Sequence, residues 1–368
     1  MEHNNSTLRN LVLRLTAFTI VGIFALAVGE LGVRSLIFLK SKTYPTQTTK
    51  VVKKLGWEPK KNFQFIGEVP DATTNNYSLN YHTDSLGFRD FGDVNSDKKK
   101  VFFIGDSFTQ SIEVSNDKTF CALVENQLGL ETFTYGCRGY STLQEYMILD
   151  QYYDQIQPDV LVLQFCYNDF INNSFELESN SIYNNNRRQR PYLSANGKIE
   201  ESYPARIPFR WLNDNSMLCQ LVFTTIEKIW NSKIHNKGET TEVYIANLEQ
   251  DYTPFAKSIS TTKTLLQKIQ NRIDPDVELL LLHVGTFNDP YYKAIESISE
   301  ELCINFISEA SQNPLLNNND QSVMAKDHFH WNEKGHEIAA EALIKYLRPL
   351  VGERLNKISS TEVISSTN

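Results

Sequence analysis

The chain has 368 residues, 41% of them apolar and 22% charged, so most of it can bury a core. A wholly disordered, a collagen-like and a polytopic membrane protein are therefore excluded. The formal net charge of −8 gives no global electrostatic basis for nucleic-acid binding. The five cysteines show no C-x-x-C spacing, which argues against a structural zinc site and predicts buried free thiols.

An apolar segment from Leu11 to Phe38 comes first in the chain, and Leu15–Gly29 within it carries no charge. About 20 helical residues of this kind cross a bilayer. No small-residue A-x-A pattern follows, so an uncleaved anchor is favoured over a removed signal peptide, with a buried globular helix as the alternative. We predict a tail and single membrane anchor over residues 1–42 and place the domain that follows on the extracytoplasmic side. The Arg and Lys residues after the span, counted alone, favour the cytoplasmic side instead.

Strand and helix patterns alternate after a polar lead-in or small β-rich subdomain over residues 43–98. This alternation indicates a mainly parallel sheet covered by helices on both faces. We predict an α/β protein, a three-layer α/β/α sandwich over residues 99–350, with a flexible tail over 351–368. The predicted strands are Lys100–Ile104, Thr132–Tyr135, Val160–Phe165, Glu278–Val284 and Ile304–Ile307, and the predicted helices are Thr119–Leu128, Thr142–Tyr153, Ser258–Gln270, Tyr291–Leu302 and Asn332–Leu347.

An Asn-rich insertion at about 173–257 interrupts the alternation and includes a helical residue pattern around Met217–Trp230. We expect the insertion to shape the ligand pocket of the domain. Trp211 and Trp230 are predicted to pack in the core, with sugar stacking as the alternative use.

A serine follows the first predicted strand directly, in Gly105-Asp106-Ser107. Parallel sheets bind ligands at the carboxyl ends of their strands, which makes Ser107 a candidate nucleophile. The tripeptide alone is weak support, because an ordinary turn with a serine cap has the same sequence. The chain has no glycine-rich phosphate loop and no G-x-S-x-G elbow, which argues against nucleotide-binding folds and the α/β-hydrolase fold.

Asp327 precedes His330 by three residues, just before the last predicted helix. A carboxylate at this spacing can accept a hydrogen bond from the imidazole Nδ1 and leave Nε2 free as a base. His330 is therefore predicted to take the proton of Ser107, with His328 as the competing choice. A helix start capped by Asp, with surface histidines beside it, is the structural alternative.

Two further polar segments follow the second and third strands. Gly139 lies in the first of them, and Asn168 in the second. A glycine amide and an asparagine side chain are donors of the kind an oxyanion hole requires, and the amide of Ser107 would be a third. Gly136 is the alternative to Gly139, and both segments also fit ordinary turns and caps.

In this order the four segments resemble the blocks of the SGNH (GDSL-type) hydrolase superfamily, over roughly residues 99–172 and 258–347. The resemblance implies an SGNH/flavodoxin-like fold with Ser107 as nucleophile, His330 as base and Asp327 as orienting acid. It also implies an oxyanion hole made by Ser107, Gly139 and Asn168.

Two more segments are similar to membrane-anchored members of that superfamily. They are Asp84–Asp90, ahead of the serine block, and Gly29–Arg34, at the end of the apolar helix. One departure is Cys166, which stands where the third block usually has glycine.

These residues predict a serine esterase that hydrolyses acyl esters, acetyl esters among them, of carbohydrate or lipid. No metal or organic cofactor is required. The expected partners are a small-molecule or glycan ester and, through the N-terminal helix, the membrane, but no nucleic acid. Two alternatives stay open: an O-acyltransferase that acts on a polysaccharide with the same triad, and a non-catalytic binding or scaffold module that kept the fold.

Overall fold

The computed structural model of the protein describes residues 2–73, 75–194, 196–204, 210–235 and 237–365. The backbone divides into two units. The smaller unit comprises Met1–Thr46 and Arg206–Lys237, and the larger comprises Gln47–Ala205 and Gly238–Asn368.

The strands lie in the larger unit. In chain order they are β1 (Thr49–Val52), β2 (Gly56–Pro59), β3 (Gln64–Pro70), β4 (Asn76–His82), β5 (Asp90–Phe91), β6 (Lys100–Gly105), β7 (Glu131–Gly136), β8 (Val160–Cys166), β9 (Arg190–Leu193), β10 (Ile199–Ser202), β11 (Glu278–Val284) and β12 (Asn305–Ile307).

The helices occur in both units. In chain order they are α1 (Glu2–Ser41), α2 (Ser107–Gln110), α3 (Phe120–Leu128), α4 (Thr142–Ile156), α5 (Tyr167–Asn172), α6 (Phe175–Asn180), α7 (Arg210–Asn215), α8 (Met217–His235), α9 (Thr241–Leu248), α10 (Thr253–Arg272), α11 (Pro290–Glu301), α12 (Glu309–Gln312), α13 (Pro314–Asn317) and α14 (Glu333–Ser365).

A six-stranded sheet with the order β12-β11-β8-β6-β7-β5 forms the centre of the larger unit. Its strands pair in parallel, except that β5 runs antiparallel to β7. The register places Gly105 at the end of β6 opposite Gly136 at the end of β7, and Cys166 at the end of β8 opposite Val284. The segments that follow β6, β7 and β8 therefore emerge at one edge of the sheet.

Alternate residues of the central strands enter two separate cores, because successive side chains of a strand point to opposite faces of the sheet. Phe102 and Leu161 belong to the core that includes residues of α4, α10 and α11. Val101 and Val160 belong to the core that includes residues of α3 and α14. Burial on both faces explains why these strands read as continuous apolar runs. The predicted three-layer α/β/α sandwich is confirmed.

The five strands predicted from the sequence all occur, with ends that differ by one residue at most. The last helix was predicted to end at Leu347, which is wrong: α14 continues through Pro349 to Ser365. The sequence after the proline again contains good helix formers such as Glu and Leu, which favour a helical backbone. Helix therefore covers most of the range 351–368 predicted as a flexible tail, and residues 366–368 lie outside the described part.

The polar lead-in contains two antiparallel strand pairs, β1 with β2 and β3 with β4, and contributes β5 to the main sheet. Trp57 and Phe88 from this region are fully buried in the same core as α4 and α10. The lead-in thus shares a core with the α/β sandwich.

The smaller unit consists of α1, α7 and α8. Within α1, Arg9–Ser41 is long and apolar enough to cross a membrane, and its most apolar stretch contains no residue buried by the other described parts of the chain. A signal sequence would pass the same test. Trp211 is 73% exposed and Trp230 is 63% exposed, so the prediction that they pack in the core is wrong. Nothing in the described part of the chain covers them.

All five cysteines are free thiols. Three of them are buried, as predicted, whereas Cys219 is half-buried and Cys303 is exposed.

Candidate active site

Ser107 is the first residue of α2 and follows β6 after a tight turn. A Cβ atom on Gly105 would collide with the side chains of Gln164 and Thr109, so the turn requires glycine there. Asp106 caps α2, since its carboxylate accepts a hydrogen bond of 3.0 Å from the amide of Phe108. Each residue of the Gly-Asp-Ser tripeptide thus has a physical role in presenting the serine.

The segment Asp84–Asp90 contacts the C-terminal end of α2. The Asp84 carboxylate accepts hydrogen bonds from three successive backbone amides, which closes a turn. This turn positions Arg89, whose buried guanidinium donates to the backbone carbonyls of Gln110, Ser111 and Val114 at 2.5–3.1 Å. Burial lowers the pKa of Arg89 to about 10. The guanidinium therefore fixes the segment that leads away from Ser107.

His330 lies beside Ser107, although 223 positions separate them in the chain. The distance from His330 Nε2 to Ser107 Oγ is 2.8 Å, and that from His330 Nδ1 to Asp327 Oδ2 is 2.5 Å. Asp327 Oδ1 also accepts from the amides of Phe329 and His330, at 3.1 and 2.9 Å. The structure thus brings together the serine, histidine and aspartate singled out in the sequence.

The competing histidine lies elsewhere. His328 is exposed, has a backbone φ of +61° and contacts Gln321 through its Nδ1. His328 therefore makes no hydrogen bond with Ser107.

The Asp327 carboxyl is suited to remain ionised. Partial burial alone would raise its pKa, but the hydrogen bonds and positive charge of His330, with the two backbone amides, hold the pKa well below its ordinary value. An ionised carboxylate at Nδ1 keeps the proton of the imidazole on that nitrogen and leaves Nε2 to accept from the serine hydroxyl.

Two of the three expected oxyanion donors have no internal partner. Within the described residues, neither the amide of Ser107 nor that of Gly139 makes a hydrogen bond. The third donor, Asn168 Nδ2, lies 3.5 Å from the Tyr140 carbonyl and 3.4 Å from Asn172 Oδ1, and the Asn168 side chain also interacts with the Asp106 carboxyl. The amides of Ser107 and Gly139 are therefore available to a ligand, whereas Asn168 already has internal partners.

Gly139 and Gly136 need to be glycine for different reasons. Gly136 is a ladder residue of β7, and a Cβ there would lie 2.1 Å from the amide nitrogen of Gln110. Gly139 lies in the turn after β7 with φ of +72°, and a Cβ there would meet the side chain of Asn186. Packing between β7 and α2 accounts for Gly136, whereas Gly139 stands in an irregular turn.

The inserted region braces this turn. Arg190 of β9 is completely buried and donates through Nη2 to the Gly139 carbonyl at 2.6 Å. Asn186 of the same region contacts the position a Cβ of Gly139 would occupy. The insertion therefore has a structural role at the site that its sequence did not reveal.

Cys166 fits the position where glycine was expected. Its backbone is extended, with φ of −120° and ψ of 159°, a conformation open to any residue. Its amide donates to Asp169 Oδ2 at 2.9 Å, which caps α5 and positions Asn168 in the first turn. The departure from the usual block thus leaves the local backbone unstrained.

Arg138 and Glu113 complete the site and were not assigned a role from the sequence. Arg138 Nη1 lies 2.8 Å from Glu113 Oε1, and Arg138 Nη2 lies 3.3 Å from His330 Nδ1 and 3.7 Å from Asp327 Oδ2. Glu113 is almost completely buried, 3.7 Å from the same His330 nitrogen. Arg138 therefore links the turn of Gly139 to the acid and the base. The only feature of the sequence that pointed to this region was Gly139, the residue after Arg138.

Glu113, Asp327 and His330 place one ligand atom each within 4.8 Å of one another, a spacing that could hold a cation. The guanidinium of Arg138 already provides a positive charge to both carboxylates. Nδ1 of His330 is also hydrogen-bonded to Asp327. These contacts favour an ion-pair network at this position over a metal site.

A mainly parallel α/β sandwich with Ser, His and Asp hydrogen-bonded at the carboxyl edge of its sheet has the architecture of a serine hydrolase. The family model of the GDSL-like Lipase/Acylhydrolase family matches residues 103–338, and the chain belongs to this family. All the residues described at the site except those of Asp84–Asp90 lie within the matched range.

Several solved structures are similar to the chain. A family 3 carbohydrate esterase from Clostridium thermocellum is 14% identical, over 69% of this chain and 98% of that one, with a TM-score of 0.38. Axe2, an acetylxylan esterase from Geobacillus stearothermophilus, is 16% identical, over 68% and 94%, with a TM-score of 0.34. A member of the lipolytic protein G-D-S-L family from Veillonella parvula is 9% identical, over 67% and 97%, with a TM-score of 0.38. No curated protein matches the sequence. Likeness at this level does not assign a substrate to the chain.

Proposed function

We propose that this protein is a serine esterase in which Ser107 attacks the carbonyl of an acyl ester. The observation that carries the proposal is the 2.8 Å contact between Ser107 Oγ and His330 Nε2, with Asp327 bonded to the other ring nitrogen. An activated serine needs this order of groups, nucleophile to base to orienting acid.

In the first step, Nε2 of His330 takes the hydroxyl proton as Ser107 Oγ bonds to the carbonyl carbon. The amides of Ser107 and Gly139 and the side chain of Asn168 donate to the oxyanion of the tetrahedral intermediate. The alcohol then leaves with the proton from His330, and the acyl group stays on the serine. A water molecule, deprotonated by His330, then attacks the acyl-serine in the same way, and the carboxylic acid is released as Ser107 regains its proton.

The acyl group is proposed to enter a small cavity of mixed polarity next to these residues. The cavity is lined in part by Phe108, by Phe329 and Trp331, and by Cys166 and Tyr167. These residues flank Ser107, His330 and Asn168 in the chain. The aromatic part of the lining suits the hydrocarbon part of an ester.

The test is hydrolysis of small aryl acetates by the detergent-solubilised full chain. Ser107→Ala and His330→Ala should each lower the rate by several orders of magnitude, about 10⁴-fold or more. His328→Ala is the matched control, because this neighbouring histidine makes no contact with the serine, and its rate should equal that of the wild type. Full activity in Ser107→Ala would refute the proposal. Turnover that appears only when a glycan acceptor is added would identify an acyltransferase instead.

We further propose that α1 anchors the protein in a membrane. Its exposed apolar surface, with no charge over Leu15–Gly29, supports this, because such a surface is unstable in water. Retention of the full chain in membranes after alkaline extraction tests the anchor. The extracytoplasmic location of the catalytic domain stays a prediction, which protease accessibility in intact cells would test.

A further inference from the structure

Glu30 of α1 caps the N-terminus of α8. Its carboxylate accepts hydrogen bonds from the amides of Met217 and Leu218, at 3.1 and 2.9 Å, and from the hydroxyl of Ser216 at 2.8 Å. Arg34 donates to the same carboxylate from one turn further along α1, at 2.7 Å. The charge of Glu30 is thus matched by a cation, a hydroxyl and a helix N-terminus.

The two helices also approach closely beside this cap. A Cβ atom on Gly29 would lie 2.9 Å from Leu218 Cδ2, so the absence of a side chain at residue 29 lets Leu218 reach the surface of α1. The contact lies where the uncharged run of α1 ends. The apolar sequence before the contact, from Leu11 to Gly29, is close to the length of about 20 residues that crosses the hydrocarbon layer, so in a spanning helix that begins at Leu11 the contact lies near the headgroups.

An apolar face of α8 is left uncovered in the described residues. Five large apolar side chains are between 44% and 63% exposed. Their spacing places them on one side of the helix, which also carries Thr225 and Lys233, and the polar residues Gln220, Glu227 and Lys228 lie on the other side. In α7, Trp211 and Leu212 are exposed as well. The uncovered residues of α8 are Leu221, Val222, Ile226, Ile229 and Trp230.

We propose that this face, the α8 face, lies in the lipid headgroup region beside α1, so that residues 210–235 form a second membrane contact. The inference rests on the proposed anchoring by α1. Three observations select lipid as the occupant: the hydrogen-bonded cap to the candidate span, the position of that cap at the end of the uncharged run, and tryptophan at positions 211 and 230. Tryptophan favours the membrane interface, and an amphipathic helix with apolar and polar sides lies parallel to it.

The experiment uses tryptophan fluorescence of the full chain reconstituted in phosphatidylcholine vesicles. The chain has four tryptophans, and two of them, Trp57 and Trp331, are buried in the larger unit. Trp211→Phe leaves Trp230 as the reporter, and the double variant Trp211→Phe/Trp230→Phe gives the background. Doxyl-labelled lipid reports contact with the bilayer, and acrylamide reports contact with water.

Trp230 is expected to be quenched by the doxyl lipid above the background of the double variant and to be shielded from acrylamide. Glu30→Gln weakens the cap and should reduce the doxyl quenching, whereas Glu30→Asp should retain more of it. Quenching of Trp230 by acrylamide alone would overturn the proposal. Shielding from both quenchers would also overturn it and would assign the α8 face to a protein partner or a second copy.

Alkaline extraction of the same vesicles separates this inference from the anchor. A chain that resists extraction while Trp230 stays in water contradicts the second contact only. A chain released by extraction contradicts the anchor as well.

Discussion

Arg138 offers a test of the electrostatics of the site, because its charge lies next to both the proposed base and the proposed acid. Replacing it by Gln removes the cation 3.3 Å from His330 Nδ1 and leaves two carboxylates, Glu113 and Asp327, beside that nitrogen. The loss of the cation and the loss of the ion-pair partner of Glu113 both favour the imidazolium form of His330, which cannot accept the proton of Ser107. The acid limb of the pH–rate profile should therefore move to higher pH.

The size of the shift follows from the distance. Two unit charges 3.3 Å apart interact by about 1.3 kcal/mol in water and about 5 kcal/mol at an effective dielectric constant of about 20. Because 34% of the Arg138 side chain is exposed, the value near that of water applies. About 1.4 kcal/mol displaces a titration by one pH unit, so the limb should rise by about one unit.

The assay is kcat/KM for an aryl acetate as a function of pH. Arg138→Lys keeps the charge and should keep the midpoint close to that of the wild type. The double variant Arg138→Gln/Glu113→Gln removes one charge of each sign and should return the midpoint toward the wild type. Identical profiles for Arg138→Gln and the wild type, with both enzymes folded, would refute the electrostatic reasoning.

Three further predictions concern an oxyanion donor and two buried titratable groups. Asn168→Ala removes one donor and should lower kcat by about 10²–10³, with KM and the thermal unfolding midpoint little changed in steady-state and melting measurements. Burial, with the charge of Asp169 adding to it, raises the pKa of Glu145 well above its ordinary value, so the folded state holds a proton that the unfolded chain releases at neutral pH. Glu145→Gln should therefore raise the unfolding temperature at neutral and alkaline pH and have no such effect well below pH 4.5, where the unfolded carboxyl is also protonated. Burial lowers the pKa of His336 from 6.5 to about 3, so stability is lost as the pH falls below 6.5. The slope is about 1.4 kcal/mol per pH unit, and melting curves of His336→Phe, which keeps a ring against Phe120, should lack this part of the loss.

The sheet could be predicted from the sequence because its strands are buried on both faces. Glu278–Val284 is the clearest case, since a short apolar run of this kind fits a central parallel strand, and β11 has these bounds. The two-residue strand β5 could not be predicted, because its pairing depends on β7, more than forty positions later. The predicted last helix ended at Leu347, whereas α14 continues through Pro349 to Ser365.

The site was predictable where its contacts are local. The spacing of Asp327 and His330 allows their hydrogen bond within one turn, and the serine follows a strand that the sequence shows plainly. The ion pair of Glu113 and Arg138 was not predictable, because it forms only when the segments after β6 and β7 lie side by side. The exposure of Trp211 and Trp230 was also hidden, since an apolar residue in a helix reads the same in a core and at a surface.

The central claim is that Ser107 is an activated nucleophile, and covalent labelling tests it most directly. The full chain is treated with a fluorophosphonate and the adduct is located by peptide mass spectrometry. The account predicts one adduct, on the peptide that contains Ser107, that is absent in Ser107→Ala and much slower to form in His330→Ala. A folded protein that takes no label, or one labelled at another residue, would contradict it.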